Sequence, residues 1–242
     1  MLQDLLQGFR ELVFPDNCFL CRTYLPPPHQ EQLCASCRLG IIPNTPPFCQ
    51  QCSRHLSYFT EQGQCLSCLG KHDFFFDRAW SACLYEEPLP QLLHAFKYHD
   101  KTHLRKLFHQ LLTKYIDRYH LPIDQFDMVI PIPLHPARQR ERGYNQAELL
   151  SRQLALHYKR PHRRDILKRC KYTPSQTQGQ AKQRWTNVDD AFRINTFLDV
   201  ADKQILIVDD LLTTAATVNS ASQCLKEAGA AYVGVLTLAV TP

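Results

Sequence analysis

Four cysteine pairs near the start of the chain constrain its fold more than any other feature. Cys18/Cys21, Cys34/Cys37, Cys49/Cys52 and Cys65/Cys68 each enclose two residues, and adding 31 to the first four positions gives the last four. The block is two copies of one C-x2-C-x12-C-x2-C unit, with Leu25/Leu56 and Ser36/Ser67 in the same register. A CxxC turn puts two thiolates on one side of a metal, and two such turns complete a tetrahedral site of four sulfurs. The spacing suits structural zinc better than an iron–sulfur run. A disulfide framework conflicts with the absence of an export signal, and thioredoxin-like redox pairs would need a βαβ setting. Two zinc ions are therefore expected. Duplication favours each ion drawing its ligands from one copy; an interleaved set, Cys18/Cys21/Cys49/Cys52 with Cys34/Cys37/Cys65/Cys68, is also compatible with the spacing.

The segment between these cysteines holds Pro26, Pro27, Pro28, Pro43, Pro46 and Pro47 and few large aliphatics. It cannot bury much core, so metal must supply its folding energy, about 10 to 16 kcal/mol per structural zinc, and without metal it should be disordered. Cys83, Cys170 and Cys224 stand alone and read as free thiols. The opening MLQDLLQGFRELVF has acids scattered through it, which makes it a poor signal peptide. No run approaches the roughly 18 apolar residues of a membrane span. A cytoplasmic chain is expected, with an N-terminal helix over 1–16, the zinc ribbons over 17–72 and a larger unit over 78–242.

In that larger unit, strand and helix signals alternate. Ala79 to Tyr85 reads as a strand, Leu104 to Tyr119 as a helix, Met128 to Ile130 as a short buried strand and Asn145 to Tyr158 as a helix. Gln204 to Val208 reads as a buried strand, Val218 to Ala228 as a helix stopped by Gly229, and Tyr232 to Val240 as a strand. Such alternation predicts a mostly parallel sheet flanked by helices.

The stretch from Ile205 to Thr217, ILIVDDLLTTAAT, carries the clearest chemistry. In an open α/β sheet, ligands sit beyond the carboxyl ends of strands. Asp209 and Asp210 fall there, offering acceptors for vicinal sugar hydroxyls or a seat near a divalent cation. Thr213, Thr214, Ala215, Ala216 and Thr217 form the turn into the next helix, where hydroxyls and unpaired amides suit a phosphate monoester. Acids followed by a phosphate loop fit a ribose 5-phosphate. An ordinary reading is also open, in which Asp210 ends the strand, Thr217 caps the helix and nothing binds.

The net charge of +5 is unevenly spread: residues 1 to 80 carry 6 Lys+Arg against 7 Asp+Glu, whereas residues 135 to 185 carry 13 against 3. The local excess implies an anionic partner, a phosphate-bearing ligand or a nucleic acid.

Val208 to Thr217 resembles the phosphoribosyl pyrophosphate (PRPP) motif of type I phosphoribosyltransferases. The Cys-rich start, Phe96-Lys-Tyr98, Asp127 to Pro136 with Arg138 and Arg142-Gly-Tyr-Asn-Gln146, and Thr173-x-x-Gln176 with Arg184 and Asn187-Val188 together resemble the competence protein F (ComF) family over nearly the whole chain. The resemblance implies an α/β fold of type I phosphoribosyltransferase kind behind a double zinc ribbon. It implies that Asp209 and Asp210 hold ribose hydroxyls, that Thr213, Thr214 and Thr217 with the intervening amides hold the 5-phosphate, and that magnesium accompanies PRPP. The turn through Leu134, His135, Arg138 and Arg142 is placed like a pyrophosphate loop, unless its arginines are only solvated helix-start charge. Lys168 to Phe192 corresponds to a mobile hood loop in which Lys168, Arg169, Lys171, Lys182 and Arg184 can fold over an anion; the bland alternative is a solvated flexible face. Three departures stand out. Ala215 replaces a usual Gly, which matters if the backbone needs a positive φ. Lys97-Tyr98-His99-Asp100 lacks the Gly of its pattern. Leu2 follows Met1, so no glutaminase-type N-terminal Cys is expected.

Two functions follow from the resemblance. One is a phosphoribosyltransferase of nucleotide or base metabolism, moving the ribosyl group of PRPP to an unidentified acceptor by electrostatic and positional catalysis. The other is a natural-transformation factor for incoming single-stranded DNA, with partners in the DNA-uptake machinery. For the second, Arg163, Arg164 and the hood-loop cations are interleaved with Tyr144, Tyr158, Tyr172 and Trp185, as single-strand binding requires. The ribbon block is near neutral, so a structural cap or partner-docking role is its alternative to gripping DNA. The two functions can coexist, because a PRPP pocket can regulate a DNA surface.

Overall fold

A computed structural model of the chain describes residues 17–26, 33–56, 62–69, 74–98, 102–171, 191–195 and 199–242. The expected helix over 1–16 lies outside them. In chain order the elements are α1 (Ala35–Leu39), β1 (Arg78–Leu84), α2 (Leu89–Tyr98), α3 (Arg105–Tyr119), β2 (Met128–Pro131), α4 (Pro136–Arg142), α5 (Gln146–His157), β3 (Leu167–Arg169), β4 (Phe192–Ile194), β5 (Gln204–Leu212), α6 (Ala216–Glu227) and β6 (Tyr232–Val240).

β1, β6, β5 and β2 form a four-stranded sheet in that order, and all three pairings are parallel. The central strands are near-continuous apolar runs because both of their faces are covered. Alternate residues serve opposite faces. Leu206 and Val208 of β5 pack with Phe108 and Leu112 of α3 and Leu150 and Leu154 of α5, while Ile205 and Ile207 pack with Val218, Ala221 and Leu225 of α6. β6 approaches its neighbours closely at Gly234, where a Cβ would come within 2.6 Å of the Phe126 ring and 2.9 Å of Trp80.

The ribbon block covers the outer edge of β1. Backbone bonds run from Leu84 N to Ile42 O, Asn44 N to Ala82 O and Ala79 N to Gln51 O, at 2.9 to 3.0 Å. An exposed strand edge is a template for unwanted pairing, and the ribbons remove it here. The first copy contributes Cys18, Leu25 and Leu33 to the apolar cluster on the α3 side of the sheet; the second contributes Cys49, Cys52, Leu56 and Cys68 to the cluster on the α6 side.

β6 spans the residues anticipated from sequence, and α3, α5 and β1 agree to within a residue or so. Three differences matter. β5 continues through Asp209 and Asp210 to Leu212, because Asp209 pairs with Thr237, Leu211 with Ala239 and Leu212 with Val240. α6 begins at Ala216, so Thr217 lies inside it and Ala215 is the capping residue, with no side-chain cap bond. The start of the expected hood loop is a hairpin stem: Lys168 and Arg169 lie on β3, paired antiparallel with β4. Its middle, residues 172–190 with Lys182 and Arg184, lies outside the described residues.

Candidate functional site

Asp209 and Asp210 are both buried in β5, and consecutive strand residues face opposite ways. Asp210 meets Lys97 of α2, whose Nζ stands 2.6 Å from Oδ2 in an ion pair with only 21% and 5% of the two side chains exposed. Burial alone would pull the Lys97 ammonium down, but the charges of Asp210 and Asp209 outweigh it and hold its pKa above the ordinary lysine value. Asp209 accepts the Asp210 amide on Oδ1 at 2.8 Å. Burial, reinforced by the neighbouring Asp210 charge, pushes the Asp209 carboxyl up to about 7. Arg169, half-buried on β3 against the Phe192 ring, is drawn down by burial, raised in part by Asp209 and opposed by Arg138. The acids, Lys97, Arg138, Arg142 and Arg169 thus form one electrostatic group at the carboxyl end of the sheet.

Beyond Leu212 the chain turns at Thr213, Thr214 and Ala215. Thr213, Thr214 and Thr217 are partly exposed, and Ala215 and Ala216 are buried. Ala215 adopts φ 65°, ψ −2°, the left-handed conformation for which glycine is the natural residue. Its carbonyl accepts the Asn219 amide at 2.8 Å, so the turn feeds directly into a regular helix. The first amides of α6 have no intrahelical partner and carry the positive end of its dipole.

The 132–145 segment is better ordered than a bare loop. Leu134 leads to His135, whose Nδ1 caps α4 by accepting the Ala137 amide at 3.2 Å, with Pro136 in the first turn. Arg138 and Arg142 lie on α4, and Gly143, at φ 81°, ends it. Arg142 donates to Gln146 Oε1 at 2.5 Å and lies over the Tyr98 ring, 5.0 Å from its centroid. Tyr144 donates its hydroxyl to the Phe96 carbonyl, and Asn145 closes the segment on the Ile132 carbonyl at 2.9 Å. These contacts fasten the end of α2, with Lys97, beside the acids.

Other basic residues stand further out. Arg163 pairs with Asp165 at 3.1 Å and Arg164 with Glu148 at 2.9 Å, surface pairs in which the Arg164 side chain is largely open to solvent and that of Arg163 partly so. Lys168 and Lys171 are exposed. Tyr144 is engaged as above and Tyr158 donates its hydroxyl to Asp117 at 3.0 Å; Tyr172 and Trp185 lie outside the described residues.

The eight cysteines gather sequentially, Cys18/Cys21/Cys34/Cys37 and Cys49/Cys52/Cys65/Cys68, each set of sulfurs lying within 4.8 Å of one another. The interleaved arrangement is thereby excluded. A tetrahedron of sulfurs about 2.3 Å from zinc has edges of roughly 3.8 Å. The Cys21–Cys34 and Cys52–Cys65 sulfur pairs, both at 3.6 Å, match that edge. The bare thiols cannot all ionise together: a hydrogen bond with Thr23 draws Cys21 down to about 6, while burial and neighbouring sulfurs hold Cys37 up to about 12. A divalent cation resolves that conflict, so both sets fit structural zinc.

Two residues at the site escaped the sequence reading. Lys97 sits in a recognised motif but nothing in the sequence pairs it with Asp210. Arg54 of the second ribbon donates to the Thr213 carbonyl, and the signal for it is a mismatch between the repeats, since the matching residue of the first copy is Thr23.

The sequence profile of the phosphoribosyl transferase domain matches residues 140–242, and that of the double zinc ribbon domain matches residues 9–69. Competence protein F of Haemophilus influenzae is 32% identical over 235 residues, covering 93% of this chain and 97% of that protein. DNA utilization protein YhgH of Salmonella typhimurium is 29% identical over 232 residues, 95% of this chain and 99% of that one. Among solved structures, the B. subtilis glutamine phosphoribosylpyrophosphate amidotransferase complexed with ADP and GMP shares 19% identity at a TM-score of 0.37, over 55% of this chain and 25% of that chain. No helix among the described residues is long and apolar enough to cross a membrane. With two four-cysteine ribbons set ahead of a phosphoribosyl transferase domain, and near-full-length identity to competence protein F, the chain belongs to the competence protein F family.

Proposed function

We propose that this chain serves DNA uptake or utilisation in the cytoplasm, with a pocket for PRPP and magnesium in the 78–242 unit and a surface for single-stranded DNA. The observation that carries the pocket is the junction of β5 and α6. There, two buried carboxylates precede a left-handed turn into a helix N-terminus, and Lys97, Arg138, Arg142 and Arg169 stand around it. The turn of Thr213, Thr214, Ala215, Ala216 and Thr217 takes the 5-phosphate. Asp209 and Asp210 take the ribose hydroxyls, and Arg138, Arg142 and Arg169 face the pyrophosphate charge. The hard carboxylate oxygens of Asp209 and Asp210 suit magnesium, which when bound with PRPP neutralises the pyrophosphate. Lys97 pairs with Asp210 until ligand arrives and then offers its ammonium to the anion.

The names of the relatives, competence and DNA utilization, support a role with DNA. Arg164, Lys168 and Lys171, all exposed, with the partly exposed Arg163, supply cations of the kind that a phosphate backbone requires. Fluorescence anisotropy with a labelled single strand tests both parts together. DNA binding that responds to PRPP with magnesium in the wild type, and not in Asp209→Asn/Asp210→Asn, supports the reading; no DNA binding at low salt refutes its DNA half. A second reading, active phosphoribosyl transfer, is favoured by the gathering of cations around the acids. Pyrophosphate release across a panel of bases and amines decides it, and no release with any acceptor leaves a binding site.

A further inference from the structure

The two ribbons superpose in their local bonding as well as in their cysteines. Single bridges link Asn17 with Tyr24 and Phe48 with His55, each pair 31 residues from the other. Cys18 N donates to Thr23 O and Cys49 N to Arg54 O, both at 2.8 Å, and Arg22 and Ser53 share the left-handed turn at φ 63° and 62°. Thr23 and Arg54 therefore occupy one structural position. In each copy that side chain touches the second sulfur of its own CxxC pair: Thr23 Oγ1 is 3.2 Å from Cys21 Sγ, and Arg54 Nη1 is 3.8 Å from Cys52 Sγ. Partners of this kind orient metal ligands.

Arg54 then does something Thr23 is too short to do. Its Nε donates to the Thr241 carbonyl at 3.0 Å and its Nη2 to the Thr213 carbonyl. Thr241, just past β6, in turn donates its amide to Leu212 O at the end of β5. One planar guanidinium thus spans a metal-site sulfur and the ends of both central strands, a geometry that fixed-fork donors favour and a lysine cannot copy. A carbonyl free to swing towards a bound anion would oppose it; Arg54 holds that of Thr213 on the ribbon side. The ribbon is anchored nearby by Asn44 Nδ2 to Ser53 O at 2.7 Å and to Ser81 O at 3.0 Å, so the tie pulls against a fixed point.

We propose that Arg54 is a positioning residue that couples the second four-cysteine site to the 213–217 turn, so that metal at Cys49/Cys52/Cys65/Cys68, and not at the first site, sets the turn's affinity for a phosphate monoester. The affinity part rests on the 5-phosphate reading above; the mechanical part does not. Arg54→Thr, which restores the residue of the first copy, is the informative variant, with Thr23→Ala as its counterpart.

In the full-length zinc-loaded protein, Arg54→Thr should retain two zinc ions per chain yet show several-fold faster amide hydrogen exchange across 213–218. It should bind ribose 5-phosphate about tenfold more weakly by calorimetry, the loss expected for one charge-assisted bond. Thr23→Ala should match the wild type in the exchange of that turn and in affinity. Cys68→Ser should speed the same amides, with no further effect when combined with Arg54→Thr; if Cys68→Ser fails to fold, the exchange of Arg54→Thr decides alone. Unchanged exchange across 213–218 in Arg54→Thr overturns the coupling. Faster exchange with wild-type ribose 5-phosphate affinity overturns the affinity control, and a wild type that binds no ribose 5-phosphate refutes the 5-phosphate reading while the exchange still judges the coupling.

Discussion

Replacing Asp209 by Asn should stabilise the protein while weakening its ligand site. An unfolded aspartate titrates near 3.8, whereas burial and the Asp210 charge push folded Asp209 up to about 7. Between those values the folded chain keeps a proton that the unfolded chain has released, so stability falls as pH rises through the window and levels off above pH 7. A span of roughly three pH units at about 1.4 kcal/mol each sets a ceiling of ~4 kcal/mol, and relaxation with water entry, as effective dielectric values near 20 imply, reduces that to about 2 kcal/mol. Asn keeps an oxygen for the Asp210 amide and removes the titration. Urea unfolding of both proteins between pH 5 and pH 8.5 supplies the test, because zinc-site protonation is common to both and cancels in the difference. The Asn variant should be more stable by about 2 kcal/mol at pH 8, and the gap should widen by about 1 kcal/mol from pH 5 to pH 7 and then stay level. A gap independent of pH, or a variant less stable at pH 8, refutes the account of how this carboxyl is held.

Lys97→Met strands a buried carboxylate and should cost about 2 to 3 kcal/mol in urea unfolding at pH 8, with at least half recovered by adding Asp210→Asn; equal losses in the single and double variants would show that the ion pair is incidental. Ala215→Gly should change stability by less than about 1 kcal/mol, because relief of a left-handed alanine is offset by chain entropy and a lost buried methyl, whereas Ala215→Val should cost about 2 kcal/mol or more. Neutralising Arg163, Arg164 and Lys168 together should reduce the magnitude of the log K against log salt slope for single-stranded DNA by about 2. An unchanged slope removes these residues from the interface.

Where local pattern and tertiary context agree, the sequence was sufficient. β6 is apolar on both faces and ends against turn residues, so its limits are legible; the 31-residue repeat likewise announces two four-cysteine sites. Legibility failed where a rule of local structure was outweighed by a neighbour. Two acids look like the end of a strand, yet pairing with β6 carries β5 four residues further, to Leu212. α2 starts among Pro88 and Pro90, residues that read as breakers but are tolerated in a first turn. α4 is only seven residues long and strongly basic, so no apolar period reveals it. The turn uses a positive φ at Ala215, the conformation for which glycine is the usual residue, and alanine adopts it here. Lys97 and Arg54 were illegible for a simpler reason: each acquires its meaning from a partner more than a hundred residues away, Asp210 for one and Thr213 for the other.

The central claim is that the end of β5 receives a phosphorylated pentose. Calorimetric titration of the zinc-loaded chain with PRPP and magnesium addresses it most directly: the account predicts one PRPP per chain and at least tenfold weaker binding in Asp210→Asn. A correctly metallated wild type that gives no binding heat at any temperature tried, and no protection of the 213–218 amides from exchange by PRPP, would contradict it.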